Sequence, residues 1–248
     1  MQGVATIQTR ISLSKCRPFS GSALKLIAVI SMLIDHFAFV FGAELGFMTS
    51  PLFTLGQNTI TLYYIMRKVG RLAFPLFCFL VAEGMVHTRK PIWYGVRLLV
   101  FALISEIPFN LMHGGNILYL SKQNVYFTLF LGAMLIWAFE HGGKEWMKMA
   151  LMAAIMVIAR FLRADYGMPG VFLILLLHVT RKHAAAQAIL AYPLLSGGVA
   201  AFAAFIPINL YNGQRGFVRS QFVKFVFYAF YPLHILLLAG IKMLLTKT

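Results

Sequence analysis

The sequence predicts an all-α fold, a polytopic transmembrane helical bundle of about eight spans. Three observations carry that prediction. Of the 248 residues 60% are hydrophobic and only 12% charged, the mean hydropathy is +0.79, and apolar runs close to the ~20 residues that cross a bilayer recur from Ser22 onward. The chain therefore divides into a polar, basic tail over 1–21, expected to be cytoplasmic, and a single transmembrane helical domain over 22–248. The tail lacks the apolar core of a cleavable signal, so the first helix is expected to serve as its own insertion signal.

Lysine and arginine number 22 against 7 aspartates and glutamates. In a soluble chain that excess would suggest nucleic acid, but no basic aromatic module of the usual kinds is present. Membrane proteins hold such cations in cytoplasmic loops, so membrane lipid is the expected partner and no nucleic acid is. Cys16 lies in the tail and Cys78 in an apolar run, which supports neither a disulfide framework nor a metal site, and no metal is expected.

The expected spans are 22–41, 71–87, 92–112, 125–139, 147–161, 170–180, 184–208 and 222–245. The sixth is short, and the seventh carries Gly197-Gly198, where it could break. The 42–70 connection is too polar around Gln57-Asn58-Thr59 to cross; it is expected at the outer interface, with 60–68 as an interfacial amphipathic helix. Loop charge favours N-in and C-in. That places Arg10, Lys15, Arg17, Lys25, Arg89, Lys90, Lys144, Lys148, Arg181, Lys182 and Lys247 inside, and leaves Arg67, Lys68, Arg71, Lys122, Arg160, Arg163, Arg215 and Arg219 outside.

The first span, LKLIAVISMLIDH over 24–36, buries charge in an apolar helix, and such groups must face protein or water. At about 100° per residue the step from Lys25 to His36 returns to nearly the same face, about 16 Å further along. Asp35 lies about 100° round from His36 and is expected to meet a partner on another helix. The second span opens with GRLAFPLF, where Pro75 frees a carbonyl and Arg71 stands at the boundary; a snorkelling arginine and a tolerated kink are the plainer alternative. Glu83 and His87, four residues apart, share a face as an ion pair or a catalytic pair. Glu106, before Pro108 and Asn110, should need a cation, with Arg71 and Arg163 as candidates. Asn124 offers amide donors at the mouth of the bundle, or else a helix cap. Ala164-Asp165-Tyr166-Gly167 reads as a tight turn. FYAFYPLH, 227–234, interrupts the last span at Pro232 and ends on His234, a packing or a functional histidine. No G-x-S-x-G, H-E-x-x-H, Walker loop or C-x-x-C occurs, so any chemistry must come from dispersed intramembrane residues.

In that order, LKLIAVISMLIDH, GRLAFPLF, QNVYFTLFLG, ADYGMPGV and FYAFYPLH resemble the TraX family of bacterial membrane proteins, from about Ser22 to Leu238. The family's namesake is needed for N-terminal acetylation of F-type conjugative pilin. The family is also distantly similar to membrane acyltransferases that acetylate surface glycans, which carry a basic residue, ten intervening positions and a histidine on the first helix, as Lys25 and His36 do. The resemblance implies a multi-pass acetyltransferase of the bacterial cytoplasmic membrane, with acetyl-coenzyme A as co-substrate and an envelope acceptor, either an amine or a hydroxyl. It implies that Lys25 holds phosphate at the inner face and that His36 works deeper, and it carries over Asp35, Arg71, Asn124, Tyr166 and His234. Glu83, His87 and Glu106 belong to the substrate site or to structural ion pairs.

On this reading His36 is general base or acyl carrier, Asp35 orients it or balances charge, and Arg71 and Asn124 stabilise the oxyanion. A small-solute transporter would use the same intramembrane charges, and a non-catalytic envelope assembly factor would need none of them to be chemically competent.

Overall fold

The protein is described from a computed structural model over residues 17–119 and 121–245. The expected tail before Arg17, with Arg10, Lys15 and Cys16, and Lys247 lie outside these residues.

Helix α1 (Gly21–Phe41) starts at Ser20, whose hydroxyl accepts from the Ala23 amide and caps the first turn. Leu26, Ile30, Leu33 and Phe37 are exposed at helical spacing while Leu24, Ala28 and Met32 are buried, so one stripe faces the bundle and the other faces outward. We call the face where α1 begins proximal and the opposite face distal. Distally come α2 (Gly46–Thr49) and an antiparallel hairpin of β1 (Pro51–Leu55) and β2 (Asn58–Thr61). Gly56, at φ 62°, takes the first central position of its two-residue turn, where glycine costs no Cβ clash.

Helices α3 (Leu62–Gly70) and α4 (Ala73–His87) then form one interrupted apolar stretch of 26 residues. The expectation of an interfacial helix over 60–68 is corrected here. Helix α3 runs antiparallel along α1, with Tyr63 over Gly42 and Gly70 against the Asp35 carboxylate. Glycine at both positions lets the backbones close, as small residues do between membrane helices. Pro75 sits in the first turn of α4, where its missing N–H has no helical partner to lose, so the expected kink is absent.

Four helices then alternate in direction: α5 (Pro91–Gly114), α6 (Val125–His141), α7 (Glu145–Phe161) and α8 (Gly167–Val179). Gln123, just before α6, bridges Ala164, just before α8, so both turns lie at the distal face.

The expected seventh span is corrected, because residues 184–211 enter the bundle and return without crossing it. Helix α9 (Ala184–Ala191) leads through a short 3₁₀ turn to Gly197, which packs on the stem of Arg71 in mid-bundle. Helices α10 (Gly198–Phe202) and α11 (Phe205–Asn209) bring the chain back, and Tyr211 bridges Phe19 on the proximal face. Pro193, Gly197-Gly198 and Pro207 deny the segment a continuous helix, and Gly198 turns with φ 56°.

The last helix, α12 (Gln221–Leu245), therefore starts proximally. The Gly21 and Ser22 amides donate to the Gln214 and Arg215 carbonyls at 2.8 and 2.9 Å, and at the other end Lys242 meets Glu44 at 2.9 Å. Helices α1 and α12 are thus parallel. The expectation that both ends of the bundle share one face is corrected, because the returning 184–211 segment removes one crossing. It also moves Arg215 and Arg219 from the expected outer side to the proximal one, beside Lys25, Arg89, Lys90, Arg181 and Lys182. Among the described residues four stretches have the length and composition to cross a membrane by themselves, α1, α3 with α4, α5 and α12, and the shorter apolar helices pack among them.

Candidate functional site

Proline at 232 removes the N–H that would bond the Tyr228 carbonyl one turn back. That carbonyl instead accepts from the Tyr126 hydroxyl of α6 at 2.9 Å. The break in α12 is thereby tied to the bundle just before His234, which is only 6% exposed. Its Nδ1 donates to the Phe230 carbonyl at 2.7 Å, and its Nε2 lies 2.7 Å from Nδ1 of His36 on α1. The rings are parallel within 5°, with centroids 5.0 Å apart, and Tyr231 stands edge-on to both.

This geometry fixes the proton order of the neutral pair. A carbonyl only accepts, so His234 carries its hydrogen on Nδ1, and its bare Nε2 must accept from the Nδ1–H of His36. The remaining nitrogen, Nε2 of His36, keeps its lone pair and meets no hydrogen-bond donor among the described residues. A histidine held in one tautomer by a second, with its outer nitrogen unprotonated, is the arrangement a general base needs.

Asp35 meets its partner on another helix, as expected, but that partner is Arg67 of α3. Arg67 Nη1 donates to Asp35 Oδ2 at 2.7 Å and to the Asp35 carbonyl at 3.4 Å, and its guanidinium lies 5.4 Å from the Phe39 ring centre. Asp35 Oδ1 is buried without a hydrogen-bond partner among the described residues. Arg71 and Tyr166 are near enough for charge to be felt between Arg71 and each of Asp35 and Tyr166. Tyr166 stacks on Phe74 at 3.3 Å, while its neighbour Asp165 is paired with Lys122.

Asn124 serves elsewhere. Its Oδ1 accepts from the Tyr126 amide as the cap of α6, and its Nδ2 donates to the Ala102 carbonyl at 2.8 Å and to Glu106 Oε2 at 2.6 Å. Both amide hydrogens are used, so none remains for an oxyanion, and that expected role is corrected to a structural one. Glu106 in turn is held by an amide and not by an arginine.

Glu83 and His87 face each other at 3.8 Å near the proximal end of α4, away from the distal half that holds the His36 pair. Beside them burial and the Glu83 carboxylate push Tyr211 up to about 12. Lys25 lies 5.9 Å from the Phe227 ring of α12 and within electrostatic range of Arg215 and Lys224. No carboxylate pairs with Lys25 among the described residues.

The expected residues thus fall into three groups. His36, His234, Asp35, Arg71 and Tyr166 gather in the distal half, Asn124 and Glu106 seal the α5–α6 seam, and Lys25 stands with other cations at the proximal face. The sequence reading missed Arg67, Tyr126 and Tyr231. For Arg67 a signal existed, since it is one of the cations that the loop-charge reading leaves on the outer side.

Such a bundle, with apolar helices of membrane-crossing length around a part-buried pair of histidines and an arginine–aspartate pair, defines a helical membrane protein with a polar interior site. The profile of the family described as TraX protein matches residues 20–242, and the chain belongs to that family. It is 29% identical to a protein of Dichelobacter nodosus described as "Probable fimbrial assembly protein FimC, serogroup H1", over 92% of this chain and 97% of that protein. No solved structure matches.

Proposed function

We propose that the protein is an integral membrane acetyltransferase that moves an acetyl group from acetyl-coenzyme A, bound at the proximal, cytoplasmic face, to an amine or hydroxyl acceptor of the bacterial envelope. The single observation that carries this reading is the His36–His234 hydrogen bond, with His234 anchored on a backbone carbonyl so that Nε2 of His36 is unprotonated and able to accept. That nitrogen takes the proton as the acceptor nitrogen or oxygen attacks the acetyl carbon and the carbonyl electron pair moves onto oxygen. Collapse of the intermediate breaks the carbon–sulfur bond, and the departing thiolate takes the proton back from His36. Lys25, Arg215 and Lys224 form a basic patch in which no carboxylate pairs with Lys25 among the described residues, a setting that favours the donor's phosphates. Arg71 and Tyr166 line the acceptor side.

Membership of the TraX family supports a pilin-type peptide terminus as acceptor. The name of the Dichelobacter nodosus relative favours a second reading, a non-catalytic factor in fimbrial assembly. Purified protein in detergent, given acetyl-coenzyme A labelled in the acetyl group, separates the two. Hydrolysis or transfer above a His36→Gln control is expected; silence from folded protein, with and without peptide acceptors, would leave the assembly reading.

A further inference from the structure

We propose that Arg67 is the residue that stabilises the oxyanion of the transfer reaction, with Asp35 positioning it. This inference rests on the acetyltransferase reading.

Place comes first. Arg67 reaches from α3 across α1, bonding to Asp35 and covering Phe39, the residues that flank His36 one before and three after it. Its charge acts on His36 and also on His113, whose ring packs against Phe39 at 4.9 Å. An oxyanion forms on the carbonyl next to the base, so a cation bonded to the residue beside that base is placed to act on it.

Rigidity comes second. Electrostatic stabilisation is strongest when the donor is already fixed before charge develops. Two contacts to Asp35 through one nitrogen, and an aromatic face beneath, hold the guanidinium. Gly70 supports the arrangement, since a Cβ there would overlap the Asp35 carboxylate.

Free donors come third. Only Nη1 is engaged, so Nε and Nη2 make no hydrogen bond among the described residues and can present two N–H groups to one oxygen. The competing donors are weaker candidates. Asn124 has none left, Lys122 is paired with Asp165, and Arg67 rather than Arg71 makes the hydrogen bonds to Asp35.

The test is steady-state kinetics on detergent-purified variants with labelled acetyl-coenzyme A. Arg67→Lys keeps a cation for Asp35 and loses the fork; kcat should fall about 10²- to 10³-fold, the usual worth of an oxyanion donor, with KM for acetyl-coenzyme A unchanged. Should this variant fail to fold, the neutral pair Asp35→Asn with Arg67→Gln leaves no charge unpaired and should show at least that loss, while Asp35→Asn alone loses less. Lys68→Gln, one position along α3 on the Tyr64 ring, should behave as wild type. Near-normal kcat in Arg67→Lys or in the neutral pair, with a large loss in Arg71→Lys, would transfer the role to Arg71 and overturn the inference while the acetyltransferase reading stands. Absence of turnover in the wild-type protein overturns that reading, and the inference falls with it.

Discussion

At the residue scale the two ends of the proposed reaction have different chemistry. His36→Gln removes the only free basic nitrogen of the pair and should lower kcat about 10²- to 10⁴-fold with donor binding nearly intact. His234→Gln leaves that nitrogen but loosens the tautomer that His234 imposes; its loss should be smaller and should come with a displaced pH–rate profile, which a purely structural residue would not give. An unchanged profile together with normal kcat would remove His234 from the site. Lys25 acts as a point charge among cations, so Lys25→Ala should raise the apparent KM for acetyl-coenzyme A with kcat retained, and Lys25→Arg should restore part of the affinity. A change in kcat alone would place Lys25 in the chemistry.

At the element scale, the sequence made the helices legible and left their partners hidden. Apolar length located α1, α4, α5 and α12 within a few residues, because that length reports the thickness to be crossed. The face shared by Lys25 and His36 was also legible from helical spacing, and both side chains do face α12. What periodicity could not supply was which helix lies opposite: Asp35 needed a cation, but only packing selects Arg67 over Arg71. Residues 184–208 misled for a related reason, since composition alone does not distinguish a crossing from a segment that enters and returns. Asn124 shows the same limit, for its capping role and its donors to α5 are one act of joining. Asn124→Ala should strand the Glu106 carboxylate and cost about 1–3 kcal/mol, visible as a lower melting temperature in detergent. Stability equal to wild type would show that the seam is held by other contacts.

At the scale of the whole molecule, parallel α1 and α12 give a prediction about sidedness. Single cysteines replacing Phe47 and Met243 should react with a membrane-impermeant thiol reagent from one side of sealed vesicles, and one replacing Lys90 from the other, in a background lacking Cys16. Buried Cys78 should stay silent. Labelling of Met243→Cys from the same side as Lys90→Cys would contradict the returning 184–211 segment. The corrected arrangement also sharpens the charge asymmetry, because Arg215 and Arg219 now add to the side that holds most loop cations.

His36 and His234 are 198 residues apart in sequence. At ribosomal speeds of ~5–20 residues per second, that gap amounts to about 10–40 s between the synthesis of one ring and of the other. Throughout that interval the nascent chain already has Lys25 and the lone His36 in place, yet no nitrogen to set the tautomer of His36. On the proposed reaction the full pair is assembled only when α12 docks beside α1, so a stalled or shortened chain lacking α12 would spend less acetyl thioester on water.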